Sequence, residues 1–204
     1  MNFKSKLQNF WYYYKYYLLI GTVLIFALFV AINSCVNRKN YDLNILYVSY
    51  GYSDSFFQSG ELISLFDGFA PDKNGDGISE TQIITINYGT TFQESNSAGA
   101  QRSANLASGK ALLFLLDERN YQELKAAGFL ENIENLGQSD FVREDAFLAY
   151  DSGLLDNISG FKSVNRPYYL CLRKYDEARA GSDSDFKAEY DSAKQTLINI
   201  INNY

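Results

Sequence analysis

The chain has 204 residues, 18 of them basic and 24 acidic, for a net charge of −6, and it contains no histidine. So acidic a surface repels phosphate backbones and argues against nucleic acid as a partner. Without histidine the commonest catalytic base and transition-metal ligand are missing. Two cysteines, Cys35 and Cys171, cannot build a thiolate metal cluster. The expectation is a protein that is not an enzyme.

The first organising feature is the run Tyr17–Asn33, YLLIGTVLIFALFVAIN, which holds no charged residue. A bilayer core needs roughly 20 mostly apolar residues in a helix. Trp11, Tyr12, Tyr13, Tyr14, Tyr16 and Tyr17 crowd the front of this run, and such rings favour the headgroup zone. Lys4, Lys6 and Lys15 precede it with no acid, against Arg38 and Lys39 after it, so the positive-inside bias predicts a cytoplasmic N-terminus. The predicted layout is a basic-aromatic leader (1–16), a transmembrane helix (17–34), a tether (35–42) and an extracytoplasmic domain (43–204). A second reading stays open. Ile32, Asn33 and Ser34 before Cys35 resemble a bacterial lipobox, which implies cleavage and a lipoprotein anchored at Cys35. Either way the body lies outside the cell, attached to the membrane.

That body carries all 24 acidic residues and 15 of the basic ones, a net charge of −9. Leu43–Tyr50, LNILYVSY, reads as a buried strand, and 54–69 as an amphipathic helix with Phe56, Leu62, Ile63, Phe66 and Phe69 on one face, stopped by Pro71. Thr81–Gly89 is a second strand. A helix of small residues follows over 95–108, then a continuously apolar third strand, Lys110–Leu116. Asp117 is the predicted N-cap of the next helix, which Gly128 ends. The stretch 130–162 reads as loops with one or two short strands. A further strand lies within Ser163–Tyr175 after Pro167. A loop then leads to a final amphipathic helix over 184–202, capped by Ser182 or Ser184. Strand–helix alternation predicts an α/β fold, a mostly parallel sheet with helices on both faces in three layers. Cys171, within the apolar run YYLCLR, reads as a packing thiol.

One motif carries specific chemistry: DKNGDGISE, 72–80. Asp72, Asn74 and Asp76 alternate as oxygen donors, Gly77 permits a sharp turn, Ile78 offers its carbonyl and Glu80 a carboxylate. This pattern suits a hard cation such as calcium. It departs from an EF-hand loop at Ile83, where the bidentate glutamate belongs, so the expected affinity is weak. The same residues also make a plain Asn-Gly-Asp-Gly turn between helix and strand. Asp54, Glu61, Asp67, Asp117 and Glu118 read as helix caps and dipole partners rather than as an acid–base pair.

The run SGKALLFLLDERNYQELKAAGFLENIENL, 108–136, resembles a segment of extracellular solute-binding proteins: a buried strand ending in an acid, a helix, and a Gly-Phe-Leu phrase. Gly109, Leu115, Leu116, Asp117, Tyr121, Leu124, Gly128, Phe129 and Leu130 carry the likeness, and DSGLLDNISGF and YYLCLRK are similar to the next segments of that family. The resemblance implies one lobe of a type 2 periplasmic-binding-protein-like domain; full binding proteins have two lobes and about twice this length. The layout also looks like a group of single-span proteins of Gram-positive bacteria, for which no function is implied. In open α/β sheets ligands sit beyond the carboxyl ends of the strands. That puts Tyr52, Ser53, Thr90, Thr91, Asp117 and Glu118 around the expected site. The two functional expectations are a solute-binding-like or interaction module of unknown ligand, and a structural or assembly subunit of a membrane complex.

Overall fold

The structure is a computed structural model that describes residues 3–36, 41–50, 60–89, 91–159, 161 and 166–204. It divides into two compact units, Met1–Asn40 and Tyr41–Tyr204. The first is one helix, α1 (Phe3–Val36), longer at both ends than the predicted span. Its stretch Phe10–Val30 is long and apolar enough to cross a membrane, with Trp11, Leu19, Val23, Phe26 and Phe29 all exposed.

In the second unit the elements follow as β1 (Leu43–Tyr50), α2 (Gly60–Asp67), β2 (Thr81–Tyr88), α3 (Phe92–Ser108), β3 (Leu113–Asp117), α4 (Glu118–Ala126), β4 (Phe147–Leu148), β5 (Tyr168–Leu172), α5 (Glu177–Ser182) and α6 (Ser184–Ile201). The five-stranded sheet has the order β2-β1-β3-β5-β4. β1 pairs in parallel with β2 and β3, in register from Leu43↔Thr81 and Ile45↔Leu113. β5 pairs antiparallel to both β3 and β4. The sheet is therefore mixed, parallel at its centre and antiparallel on one side. The chain enters β5 from the end at which β3 finishes, with Tyr168 opposite Asp117.

Alternation along β1 divides the core. Leu43, Ile45 and Tyr47 face α2 and α6, where Leu62, Phe66, Phe186, Leu197 and Ile200 pack. Leu46 and Val48 face α3 and α4, meeting Ala98, Leu106, Tyr121 and Leu124. β3 is buried throughout, as a central strand covered on both faces must be. Cys171 is fully buried in the second cluster, and burial pushes its thiol well up.

Several boundaries differ from the sequence reading for local reasons. α3 starts at Phe92 rather than near 95, because Thr91 and Glu94 form a reciprocal capping box. β3 starts at Leu113, since the left-handed turn at Gly109 (φ 64°) delays its entry. α5 replaces part of the expected loop; Asp176 caps it through the Arg179 amide at 3.0 Å. The cap of α6 is Asp183, which accepts from the amides of Asp185 and Phe186, and not Ser182 or Ser184. Of the predicted helix over 54–69, residues 54–59 lie outside the described residues.

Leu115 is fully buried at the middle of β3. Its replacement by alanine removes buried methyl groups from a packed site, an expected loss of about 2–5 kcal/mol. Urea unfolding of the full chain in detergent measures it, with Gln82→Ala, exposed on β2, as the near-neutral control.

Candidate functional site

The parallel strands β2, β1 and β3 end together at Tyr88, Tyr50 and Asp117. The connection that leaves β1 runs through α2 to β2 on one side, and the connection that leaves β3 runs through α4 toward β4 and β5 on the other. The β1/β3 gap is thus the topological switch point at which open α/β sheets hold ligands. Asp117 occupies that gap. It is 6% exposed. One carboxylate oxygen accepts from the Tyr50 amide at 2.7 Å, and the other accepts from the amide and side-chain nitrogen of Asn120, both at 2.9 Å. A single side chain thus ends β3, caps α4 and ties α4 to the end of β1.

Around it runs a ladder of rings and cations. Tyr50 and Tyr88 stack with centroids 4.1 Å apart and planes 17° from parallel. The Arg119 guanidinium sits 4.0 Å from the Tyr50 ring, and that of Arg102 sits 5.7 Å from the Tyr88 ring. Glu123 closes the circuit, accepting from Arg102 at 2.7 Å and from Arg119 at 3.2 Å, while Arg102 also donates to Asn120 at 2.6 Å. Arg166 reaches the same place, donating to the Tyr50 carbonyl at 3.1 Å. Burial pushes the Glu123 carboxyl up, but the hydrogen bonds from Arg102 and Arg119 outweigh it and hold the group below its ordinary value. Burial, aided by Glu123, raises the Tyr50 phenol.

A second cluster lies on the far side of α4. Tyr121 and Tyr169 stack at 4.3 Å and 9°. The Tyr121 hydroxyl donates to Asp145 at 2.6 Å, and Lys125 pairs with the same carboxylate at 3.1 Å. The Tyr169 hydroxyl donates to Glu118. Burial and the Asp145 carboxylate push the Tyr121 phenol up to about 12, so it stays a donor at physiological pH.

Among the expected site residues, Thr91, Asp117 and Glu118 stand at the carboxyl edge, each with a structural partner: Thr91 caps α3, Asp117 ties α4 to β1, and Glu118 holds Tyr169. Tyr52, Ser53 and Thr90 lie outside the described residues. Arg119, Arg102, Glu123 and the two strand-end tyrosines are additions that the structure makes to this set. Their signals in the sequence are an Arg–Glu pair at i,i+4 just after a strand, and a tyrosine closing each of two strands. Of the other carboxylates read as caps or dipole partners, Glu61 stands in the first turn of α2 but takes the amide and hydroxyl of Ser159. Asp67 ends α2 and accepts from the Thr81 amide at 2.7 Å rather than capping a helix, and Asp54 lies outside the described residues.

The 72–80 loop sits at the opposite end of the sheet. Asp72 accepts from the amides of Gly75 and Gly77, both at 2.7 Å, Asn74 from that of Asp76 at 2.9 Å, and Asp76 from that of Ile78 at 2.9 Å. Gly75 and Gly77 take positive φ, 75° and 86°, which a side chain resists. Buried Asp42 anchors the loop by accepting from the amides of Lys73, Asn74 and Glu80 at 2.9–3.1 Å. Glu80 contributes its backbone to that anchor, and Ile78 is 64% exposed. Among the described residues, no three acidic or cysteine side chains gather as a metal cluster. The Asp72, Asn74 and Asp76 oxygens that accept these bonds each have a second lone pair.

Comparison with family models, with curated proteins and with solved structures finds no match to this chain.

Glu123, with its lowered pKa, stabilises the fold above the ordinary carboxylate value of 4.5, and that contribution disappears as pH falls through the lowered folded value. Glu123→Gln is therefore expected to be less stable than the parent at pH 7 and to converge with it at an acid pH where the folded-state carboxyl is protonated. Urea midpoints at both pH values read this, and an equal gap at each would remove Glu123 from the account.

Proposed function

We propose that this chain is a membrane-tethered, non-catalytic recognition module, held by a single span with its N-terminus in the cytoplasm and its α/β body outside. The body resembles one lobe of a type 2 solute-binding protein. It offers its binding surface at the carboxyl ends of the parallel strands. The observation that carries this reading is the Tyr88–Tyr50–Arg119 stack beside Asp117 at the switch point. Arg119, 65% exposed in its side chain, and Arg166, also exposed, present planar forks of donors beside a tyrosine face. Such forks suit a carboxylate or another planar anion. The ligand class this implies is a small solute or a partner side chain bearing an anionic group.

The test is thermal unfolding of the full chain in lipid nanodiscs against millimolar acetate, succinate, glutamate and sialic acid. A ligand present at 100 times its Kd stabilises by about 2.7 kcal/mol. The expected result is a rise in Tm with at least one carboxylate, lost in Arg119→Ala with the unliganded Tm kept. No shift with any carboxylate refutes the proposed ligand class. Protease digestion of sealed vesicles reads the orientation: external protease should remove the body.

We further propose that the 72–80 loop takes calcium weakly, through Asp72, Asn74, Asp76, the Ile78 carbonyl and Glu80. The supporting feature is the arrangement of Asp72, Asn74 and Asp76 around two positive-φ glycines, with oxygens that still have lone pairs to give. Millimolar calcium is expected to raise the Tm, and Asp76→Ala to abolish the rise; no shift with the parent chain leaves the loop a turn.

A second reading, assembly within a membrane complex, is favoured by one feature of α1. Gly21 and Thr22 form a notch among Phe10, Tyr14, Tyr17 and Ile25 on its surface. Small residues of this kind let helices approach closely in a bilayer. Gly21→Leu is expected to reduce co-purification of a membrane partner while leaving the Tm of the body unchanged.

A further inference from the structure

β2 is the outer strand of the sheet, and among the described residues no strand lies beyond it. The direction of its backbone groups can be read from its first contacts. The Glu80 carbonyl accepts from the amides of Asp42 and Leu43, so the even-numbered residues turn their backbone groups toward β1. Backbone groups alternate in direction along a strand, so Thr81, Ile83, Thr85 and Asn87 turn theirs outward. Asp67 takes the Thr81 amide. The amides and carbonyls of Ile83, Thr85 and Asn87 therefore line the open edge.

Edge strands are normally protected by lysine, proline or a bulge. β2, TQIITINY, has no charge and no proline, and its register with β1 is unbroken over eight residues. Beside its final turn of chain lies a groove of about 390 Å³ lined by Asn87, Gln93, Glu94, Ser97, Ala98 and Gln101. This groove between an edge strand and a helix is the geometry in which extended peptides add to a sheet. Its amide side chains can both donate to and accept from a peptide backbone. Charge selects the occupant. Asp72, Asp76 and Glu80 precede the strand with one cation, Lys73, which pairs with Glu189 at 3.8 Å, and Glu94 is the charged residue of the groove at the other end. Carboxylates thus flank an uncharged strand about 26 Å long, at 3.3 Å per residue.

We propose that the β2 edge is a docking site for an extended segment of a partner protein, with an uncharged β-forming centre and basic residues at its flanks, added as a sixth strand alongside Ile83, Thr85 and Asn87. This surface adjoins the carboxyl edge at Asn87 and Glu94, and its backbone ladder does not depend on Asp117 or Arg119.

The probe is the capped heptapeptide KTVTVTK, titrated into the full chain in nanodiscs. Its controls are ETVTVTE and a KTVTVTK carrying N-methyl groups on alternate residues. The expected result is binding of KTVTVTK with slowed amide exchange at Ile83, Thr85 and Asn87. Affinity should fall at least tenfold for ETVTVTE, and binding should vanish for the N-methylated peptide, which cannot complete a ladder. Thr85→Pro deletes an outward amide without touching the β1 ladder, and with an unchanged circular dichroism spectrum it is expected to lose binding too. If that variant does not fold, the N-methylated peptide alone tests the need for a ladder. The proposal is overturned by no binding of KTVTVTK at millimolar concentration, by equal binding of the N-methylated peptide, or by sedimentation showing the edge already closed by a second copy of the chain.

Discussion

The carboxylate of Asp117 is the interaction on which the rest of the carboxyl edge depends. Buried carboxylates are costly unless their oxygens are fully engaged, and here three donors from two elements engage them. A cap of this type contributes about 1 kcal/mol, and a hydrogen bond to a charged group adds about 1.5–3 kcal/mol. The larger effect is geometric. By fixing the first turn of α4 against the last residue of β1, Asp117 determines where Arg119 meets Tyr50 and where Glu123 meets both arginines. The Arg119–Tyr50 contact and the bonds of Glu123 to both arginines depend on that attachment.

The opposite end of β1 is held in the same manner. Asp42, 2% exposed, gathers three amides of the 72–80 loop, and its carbonyl accepts from Ser192 on α6 at 3.0 Å. The central strand is therefore fastened by a buried acid at its start and by a neighbour's buried acid at its finish. Between them the strand is apolar enough to pack on both faces. The loop's rigidity derives from this anchor, from internal amide–carboxylate bonds and from two glycines.

Much of this architecture is legible in the residues. The limits of β1 and the presence of α2, β2, α3, α4 and α6 come from hydrophobic period and local stops, because these are properties of short windows. Asp117 as a cap is legible for the same reason. The long-range features are not. The antiparallel entry of β5 depends on how the helix-poor stretch after Ala126 folds back, and nothing in YYLCL distinguishes one strand direction from the other. The Tyr50–Tyr88 stack requires the register of β1 against β2, and Glu123 between two arginines requires α3 and α4 side by side. α5 reads as a loop because Glu177–Ser182 has no apolar period; its cap decides it.

The sharing of Glu123 has a kinetic consequence. An anion arriving at Arg119 meets an occupied guanidinium, and it must compete with a carboxylate tethered four residues away. Glu123 also accepts from Arg102 at 2.7 Å, so giving up Arg119 would not leave its charge without a partner. The resident side chain acts as a built-in competitor of high effective concentration. For the anionic ligand proposed above, it favours brief occupancy over tight retention.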